Sequence, residues 1–159
     1  MNTLIIYFSR SGKTERIGIE LAKKLDADIE KLKDIKKREG ILGWIRSGRD
    51  SLKKRTTSIE ELEHDPVIYD IVIVGTPVWA GDVTPAVRTF LKNYHRKIDN
   101  IAFFSTSKSG ETSSMYDTMS KIVDIDPIST LTITEKEIKK ERYGKKMNDF
   151  IEELKEYLD

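Results

Sequence analysis

Three short, almost continuous apolar segments constrain the fold of this chain more than any other feature. They are residues 3–8 (TLIIYF), 69–75 (YDIVIVG) and 100–106 (NIAFFST), and all are rich in Ile, Val or Phe. Runs of this length and composition are typical of strands that are buried on both faces, as in a parallel sheet. We therefore expect a sheet in which several parallel strands lie side by side.

Segments with a helical apolar period separate these strands. The patterns are Ile17, Leu21 and Leu25; Val87, Phe90, Leu91 and Tyr94; Met115, Met119, Ile122 and Val123; and Met147, Phe150, Ile151, Leu154 and Leu158. Each has the spacing of a helix that packs one face against a sheet. Two weaker strands, at residues 28–32 and 128–134, bring the predicted total to five. This alternation predicts an open, doubly wound α/β fold with helices on both faces, because parallel neighbours need crossover helices.

Size and composition narrow the range of functions. With 159 residues, the chain is long enough for one domain with a sizeable core, so we expect a single domain over residues 1–159. The sequence has no cysteine, which excludes disulfides and thiolate nucleophiles, so any redox chemistry must come from a bound cofactor. The net charge of +1 argues against a general nucleic-acid binder, and no apolar run approaches the length of a membrane span. Residues 1–10 have no basic leader, and we expect a cytoplasmic protein.

Three polar segments follow predicted strands at the edge where ligands bind in open α/β sheets. They are the first loop at residues 9–14 (SRSGKT), the second loop at residues 76–81 (TPVWAG) and the third loop at residues 105–111 (STSKSGE). A helix start follows the second loop, because Thr84 is suited to accept a backbone N–H as N-cap and Pro85 fits the first helical position. We therefore expect residues 75–83 to form a loop between strand and helix.

The first loop contains the letters SGKT, which also end the phosphate loop of nucleotide triphosphatases. That motif, GxxxxGK[ST], requires a glycine at position 7, where this chain has Tyr7. The GxGxxG dinucleotide motif is absent as well, since the loop has only Gly12 and the nearby Gly18 falls within the predicted helix. A phosphorelay receiver domain would need an acidic cluster after the early strands, and this loop has serine and arginine instead.

The remaining pattern of the first loop is [ST]x[ST]GxT, formed by Ser9, Ser11, Gly12 and Thr14. Its hydroxyl groups, together with backbone N–H groups at the start of a helix, are suited to a terminal phosphate, and Gly12 allows a close turn. An ordinary strand-to-helix turn would use the same residue types. The loop alone leaves both interpretations open.

The three loops together resemble the flavodoxin family, in which a loop of this [ST]x[ST]GxT form holds the phosphate of FMN. The resemblance extends to residues 74–91 and 103–111, which are similar to the two flavin-ring loops of that family, and it spans most of the chain in the same order. It implies a five-stranded parallel sheet with strand order 2-1-3-4-5 and FMN bound without a covalent link. The residues it assigns to FMN are Ser9, Arg10, Ser11, Gly12, Lys13, Thr14, Thr76, Pro77, Val78, Trp79, Ala80, Gly81, Ser105, Thr106, Ser107, Lys108, Ser109, Gly110 and Glu111.

The second and third loops have residue types that suit a flavin ring. An indole such as that of Trp79 can lie flat on an isoalloxazine ring and exclude water, although a tryptophan in the core is the alternative. The short side chains of Ala80 and Gly81 would let backbone groups approach the N5 edge of the flavin. In the third loop, closely spaced backbone amides are candidates to bond the pyrimidine edge of the ring.

Two features depart from the strongly acidic electron carriers of the flavodoxin family. Lys108 in the third loop would stabilise an anionic reduced flavin by Coulomb attraction, so we expect it to raise the midpoint potential, unless it points into solvent. The second feature is the basic region 33–55, within which we expect an extra helical segment around residues 36–56. Its charges are Lys36, Lys37, Arg38, Arg46, Arg49, Lys53, Lys54 and Arg55. It is either a docking surface, for acidic redox partner proteins, an anionic substrate or a lipid surface, or a solvated helix face.

Three classes of function stay open on the sequence. The favoured one is an electron carrier that passes electrons between a reductase and an acceptor through FMN, with no side chain acting as a catalytic acid or base. The second is an FMN-dependent oxidoreductase acting on NAD(P)H, a quinone or a porphyrinogen, and the third is a flavin-free binding module. His64 and His95 stand apart in polar segments, so we expect surface residues and no metal site. Monomer and dimer are equally open.

Overall fold

A parallel sheet with helices on both faces forms the protein. The structure is a computed structural model that describes residues 1–35 and 56–159. Within these residues the strands are β1 Thr3–Tyr7, β2 Asp28–Lys31, β3 Ile71–Trp79, β4 Asp82–Val83, β5 Ile101–Ser107 and β6 Thr130–Thr134. The α-helices are α1 Lys13–Leu25, α2 Pro85–Asn93, α3 Ser113–Val123, α4 Glu135–Lys140 and α5 Gly144–Leu158, and a 3₁₀ turn covers Pro66–Ile68.

The order of the strands in the sheet is β2-β1-β3-β5-β6, and all of these neighbours are parallel. The short strand β4 lies off this path and pairs only with β3, in antiparallel orientation. Leaving β4 aside, this is the expected order 2-1-3-4-5. Strands β1, β3 and β5 form the centre of the sheet, so the segments that follow these strands lie beside one another at its carboxyl edge.

Two apolar clusters fill the space between the sheet and the helices. On one face, alternate residues of the central strands, such as Ile6, Val74 and Phe103, pack against α2 and α3. On the other face, the intervening residues, such as Ile5 and Phe104, pack against α1 and α5. This division explains why the central strands read as continuous apolar runs, because both faces of each strand are buried.

The second loop differs from its prediction. Strand β3 continues through Trp79, and Val78 and Trp79 pair with Val83 and Asp82 of β4, so residues 75–83 form mostly a hairpin and not an open loop. Thr84 is the N-cap residue of α2 and Pro85 follows it, as expected, but the Thr84 side chain makes no capping hydrogen bond. Pro77 lies within β3, where it pairs with Thr106 of β5, and Gly81 lies in the two-residue connection, so neither residue interrupts the pairing of β3 with β4.

Helix α4 was not expected from the sequence. It begins with a capping box in which the Thr134 hydroxyl accepts from the Glu137 N–H and the Glu137 side chain accepts from the Thr134 N–H. The signal was present in the letters TEKE at residues 134–137, since a threonine followed three positions later by glutamate marks a helix start. With Ile138 its single buried residue, the helix lacks the long apolar stripe by which the others were predicted.

Residues 33–35 and 57–60 pair with each other in antiparallel orientation just beyond β2. The Ile35 N–H donates to the Ser58 carbonyl at 3.0 Å, and the Glu60 N–H donates to the Lys33 carbonyl at 2.9 Å. Thr57 joins this pair of segments to α2, because its N–H donates to the Thr89 hydroxyl at 3.0 Å. The predicted helical segment around residues 36–56, and most of the basic region 33–55, lie outside the described residues. Among residues 1–35 and 56–159, no helix is long and apolar enough to cross a membrane.

Candidate functional site

The first loop is a tight turn between β1 and α1, stabilised by its own polar groups. The buried hydroxyl oxygen of Ser9 accepts a hydrogen bond from the Gly12 N–H at 3.1 Å. Gly12 has φ of 90°, in the left-handed region, and serves as the N-cap residue of α1. That conformation needs glycine because a Cβ would meet the adjacent carbonyl oxygen. Tyr7 ends β1 just before the turn, and burial, with a smaller contribution from Glu15, raises its pKa to about 12.

The start of α1 leaves free hydrogen-bond donors beside this turn. The first bond of the helix is donated by the Arg16 N–H to the Gly12 carbonyl, at 3.0 Å. The N–H groups of Lys13, Thr14 and Glu15 therefore precede the helical ladder, and they have no acceptor among the described residues. Unpaired N–H groups and the positive end of the helix dipole together favour an anion at this position. Ser11 and Gly12, which precede these donors, are exposed, Lys13 and Glu15 are half-buried, and Thr14 is buried.

A hydrogen bond between hydroxyl groups links the first loop to the third. The Thr14 and Thr106 hydroxyl oxygens lie 2.7 Å apart, and both residues are buried. Thr14 is therefore part of the internal bonding of the site, in addition to its expected place beside a phosphate. Its hydroxyl proton and that of Thr106 cannot both lie between the two oxygens, so one of them stays available to another acceptor.

The second loop is the turn of the β3–β4 hairpin. Ala80 and Gly81 connect the strands, and both have positive φ, of 50° and 76°. Two central residues with positive φ are the mark of a two-residue turn that suits the twist of the flanking strands. Both are exposed, whereas Thr76 at the base of the hairpin is fully buried. Of this loop, only the connection Ala80–Gly81 projects beyond the paired strands.

An ion pair between a buried arginine and Asp82, whose side chain is 17% exposed, links the hairpin to α2. The Arg88 guanidinium in α2 donates to the Asp82 carboxylate in β4 at 2.7 Å, and the Arg88 side chain is 4% exposed. The Arg88 Nε is buried without a hydrogen-bond partner among the described residues. The Thr76 and Thr84 hydroxyl oxygens, 3.2 Å apart, tie the base of the hairpin to the start of α2. Neither Asp82 nor Arg88 was predicted from the sequence to belong to the site; an acidic residue next to the AG turn with an arginine six positions later was the available signal.

Trp79 is half-buried and contacts the residues on either side of Ser9. The Phe8 ring meets it edge to face, with centroids 5.4 Å apart and planes at 89°. The Arg10 guanidinium lies over the indole ring, 5.4 Å from its centroid. Trp79 packs against the apolar cluster and stays partly accessible. It therefore matches neither of the two predicted positions completely, which were a ring exposed to a ligand and a tryptophan in the core.

The third loop is partly strand. Ser105, Thr106 and Ser107 belong to β5 and are buried, while Lys108, Ser109, Gly110 and Glu111 are exposed. The Ser107 hydroxyl donates to the Ser109 carbonyl. The Ser105 hydroxyl oxygen lies 2.7 Å from the hydroxyl of Tyr116, which also donates to the Leu131 carbonyl at 2.7 Å. The closely spaced backbone amides that we expected to bond the flavin ring are therefore limited to the exposed residues 108–111.

Two titratable groups near the third loop have fixed charge states. Burial raises the pKa of Tyr116, in spite of its hydrogen bonds to Ser105, Thr132 and Thr112, so it is a neutral phenol. Hydrogen bonds from the Ser113 hydroxyl and N–H hold the pKa of Glu111 below its usual value. Lys108, by contrast, has no ion-pair partner in the part of the chain that the structure describes.

The other charged residues named from the sequence have partners. Lys13 forms an ion pair with Glu135 at the start of α4, at 2.9 Å, and neither this pair nor that helix was predicted from the sequence. His95 is exposed, as expected, and its Nδ1 lies 2.8 Å from the Ile122 carbonyl oxygen. His64 is not isolated: its Nδ1 lies 2.8 Å from the Glu30 carboxylate, which also accepts from the His64 N–H. Within residues 1–35 and 56–159, no cluster of three or more His, Asp or Glu could hold a metal ion.

Comparisons with known proteins agree with this architecture. The sequence model of a family described as flavodoxin matches residues 2–153. None of the curated protein sequences matches the chain significantly. A flavoprotein from Lactobacillus acidophilus NCFM, solved in complex with FMN, has a TM-score of 0.71 and 22% identity, over 87% of this chain and 97% of that chain.

Two further solved structures have lower similarity. A protein described as flavone reductase has a TM-score of 0.55 and 14% identity, over 93% of this chain and 60% of that chain. The two-electron reduced flavodoxin of Megasphaera elsdenii has a TM-score of 0.50 and 17% identity, over 82% of this chain and 84% of that chain. At these identities the structures establish the fold.

Proposed function

Because this chain belongs to the flavodoxin family, we propose that it binds FMN at the carboxyl edge of its sheet and transfers electrons through it. The main support for the proposal is that side-chain contacts join the three loops into one site. Thr14 contacts Thr106, which joins the first loop to the third, and Arg10 contacts Trp79, which joins the first loop to the second. A ligand with a phosphate at one end and a flat ring at the other would contact all three.

The residues of the first loop fit the phosphate of FMN. Three unpaired N–H groups at the start of α1 donate to its oxygens, and the exposed hydroxyl of Ser11 adds a further donor. Outside the two adjacent residues, an added Cβ at Gly12 would meet no atom of the described residues within 4 Å, so there is open space beside the turn for a ligand. Neutral donors of this kind bind a phosphate dianion without a fixed counter-charge.

The second and third loops fit the ring. Trp79 offers an accessible part of its indole for stacking, and the ring excludes water from one side of the flavin. The exposed backbone of Ala80 and Gly81 is positioned to approach the edge of the ring, as is the exposed part of the third loop. Bound FMN would supply the redox chemistry, and the role of these residues is to hold and orient it.

We favour an electron carrier, with redox partner proteins as donor and acceptor. Lys108 is exposed beside the site and has no ion-pair partner among the described residues, and the region 33–55 adds further cations in sequence. These charges suit an acidic redox partner, and they predict that the rate of electron transfer to such a partner falls as ionic strength rises.

An FMN-dependent oxidoreductase acting on NAD(P)H, a quinone or a porphyrinogen is the second candidate. The similarity to a structure described as flavone reductase favours it. Turnover of NADH or NADPH with a quinone by the purified protein alone would support the enzyme. Reduction of the flavin only when a separate flavodoxin reductase is added would support the carrier. A cytoplasmic location stays a prediction, which cell fractionation would test.

Identification of the cofactor is the first test. We expect the purified protein to be yellow and to release FMN on denaturation. Ser11→Ala should weaken FMN binding, since the Ser11 hydroxyl is exposed and has no internal hydrogen bond to lose. Ser58→Ala is the matched control, because Ser58 is also exposed and lies outside the three loops. FMN affinity that is unchanged in Ser11→Ala would show that this hydroxyl does not contact the phosphate, and a protein that binds no FMN would contradict the proposal.

A further inference from the structure

Arg10 is the residue of the site whose contacts a phosphate would change most. Its guanidinium lies 5.4 Å from the centroid of the Trp79 indole, within the range of a cation–π interaction. The side chain is exposed, and it has no hydrogen bond or ion pair among the described residues. Arg10 also belongs to the first loop and is separated from Gly12 by a single residue. The same side chain therefore lies between the candidate phosphate site and the candidate ring site.

The two possible partners of this guanidinium differ in strength. An arginine and a phosphate form charge-assisted hydrogen bonds, often two at once, because the planar fork of the guanidinium matches two phosphate oxygens. An exposed contact with an aromatic face is weaker. A phosphate held on the free N–H groups of α1 would therefore draw the guanidinium away from the indole.

We propose that Arg10 makes this site selective for phosphorylated flavins through its contact with Trp79. Without a phosphate in the first loop, the guanidinium lies over the indole and competes with a flavin ring for that surface. With a phosphate, Arg10 bonds to the anion and the indole becomes available for the ring. The inference rests on the proposed binding of FMN, and it adds a mechanism by which riboflavin, which has the same ring and no phosphate, is disfavoured.

The mechanism predicts effects of opposite sign for the two flavins. Removing the guanidinium in Arg10→Gln removes a contact with the phosphate, so FMN affinity should fall by about tenfold. The same change removes the competitor for the indole, so riboflavin affinity should rise by about two- to fivefold. If Arg10 only stabilised the loop, both affinities would fall together.

The experiment measures dissociation constants of FMN and riboflavin for the apoprotein of the wild type and three variants. Arg10→Gln tests the proposal, and Arg10→Lys keeps the positive charge and should restore part of the FMN affinity. Arg96→Gln is the control, because it removes an exposed arginine at the amino edge of the sheet, paired with Asp124, and should change neither constant. A parallel fall of both affinities in Arg10→Gln would overturn the proposal while leaving FMN binding intact.

A second readout uses no flavin. In a Trp44→Phe background, Trp79 is the single tryptophan, and its fluorescence reports the guanidinium contact. Titration of the apoprotein with inorganic phosphate should change this fluorescence when Arg10 is present and leave it unchanged in Arg10→Gln. An equal response in both proteins would contradict the exchange of partners. If no variant or wild-type protein binds either flavin, the proposed function itself fails, and the selectivity fails with it.

Discussion

The first loop and the β3–β4 hairpin meet at one site, but they are built from different interactions. The first loop is stabilised by neutral groups, through the Ser9–Gly12 and Thr14–Thr106 hydrogen bonds, and it leaves backbone donors free. The hairpin instead contains a largely buried ion pair between Asp82 and Arg88. One region thus keeps an unsatisfied positive potential, while the other uses its charges internally.

The difference follows from what each region would bind. A loop that receives a dianion gains from unpaired donors, and an internal carboxylate there would repel the ligand. A hairpin that offers a flat indole and backbone groups to a ring needs rigidity, and paired charges below the turn supply it. Four predictions test this comparison, in order of decreasing expected effect.

Asp82→Ala should have the largest effect, because it leaves the Arg88 guanidinium buried without its partner. We expect the free energy of unfolding to fall by about 3 kcal/mol, the lower part of the range for one partner of a buried pair. Urea denaturation of the apoprotein measures it. The double variant Asp82→Ala/Arg88→Met should be more stable than Asp82→Ala alone, since the orphaned charge is gone. A loss under about 0.5 kcal/mol for Asp82→Ala, typical of surface changes, would mean that the hairpin does not depend on the pair.

Thr14→Val should come second. It keeps the shape of the side chain and removes the hydroxyl, so the Thr106 hydroxyl is left buried without this partner. An unsatisfied buried hydroxyl lowers the free energy of unfolding by about 2 kcal/mol. Thr14→Val/Thr106→Val, with both hydroxyls replaced, should recover most of that loss in the same urea measurement. If the double variant were no more stable than Thr14→Val, the hydrogen bond between the first and third loops would contribute little to the free energy of unfolding.

The sequence predicted the sheet order and the approximate position of the three loops. Parallel strands buried on both faces are visible as apolar runs, and a strand followed by SRSGKT makes the first loop recognisable. It did not predict the hairpin, because Pro77 and Gly81 suggest a turn in an open loop as well as in a hairpin, and the second strand, Asp82 and Val83, is too short to show an apolar pattern. Propensity alone cannot determine such a two-residue strand.

The contacts between loops were also beyond the sequence. Phe8 reads as the end of an apolar strand, and only the structure brings its ring to Trp79. In the sequence, Arg88 looks like an ordinary charged residue on an amphipathic helix. Its burial and its pairing with Asp82 are not encoded in local spacing, so only the structure shows them. Helix α4 was missed for a different reason, since its capping box was legible in the sequence but its apolar face is too short to give a period.

Gly12→Ala and Gly81→Ala should have smaller and similar effects on stability. Both glycines have positive φ, and outside the two adjacent residues an added Cβ would meet no atom of the described residues within 4 Å at either position, so the change acts through the local backbone conformation. We expect a loss of about 1 kcal/mol in the free energy of unfolding for each. The two should differ in ligand binding: Gly12→Ala should lower FMN affinity more than riboflavin affinity, because Gly12 shapes the turn that leads to the free N–H groups. Equal losses for both flavins would contradict the assignment of the phosphate to the first loop.

Ala80→Gly should have the smallest effect and tests whether the hairpin turn is strained. Ala80 has φ of 50°, a conformation that disfavours a residue with a Cβ by about 1 kcal/mol. Glycine relieves this strain, but it also adds conformational freedom to the unfolded chain, which lowers stability by about 0.4–1 kcal/mol. We therefore expect the free energy of unfolding to change by less than about 0.5 kcal/mol, against a clear loss in Gly81→Ala. A loss of more than about 1 kcal/mol in Ala80→Gly would mean that the Ala80 methyl group makes stabilising packing contacts. The turn itself, and not only the ion pair of Asp82 and Arg88, would then stabilise the hairpin.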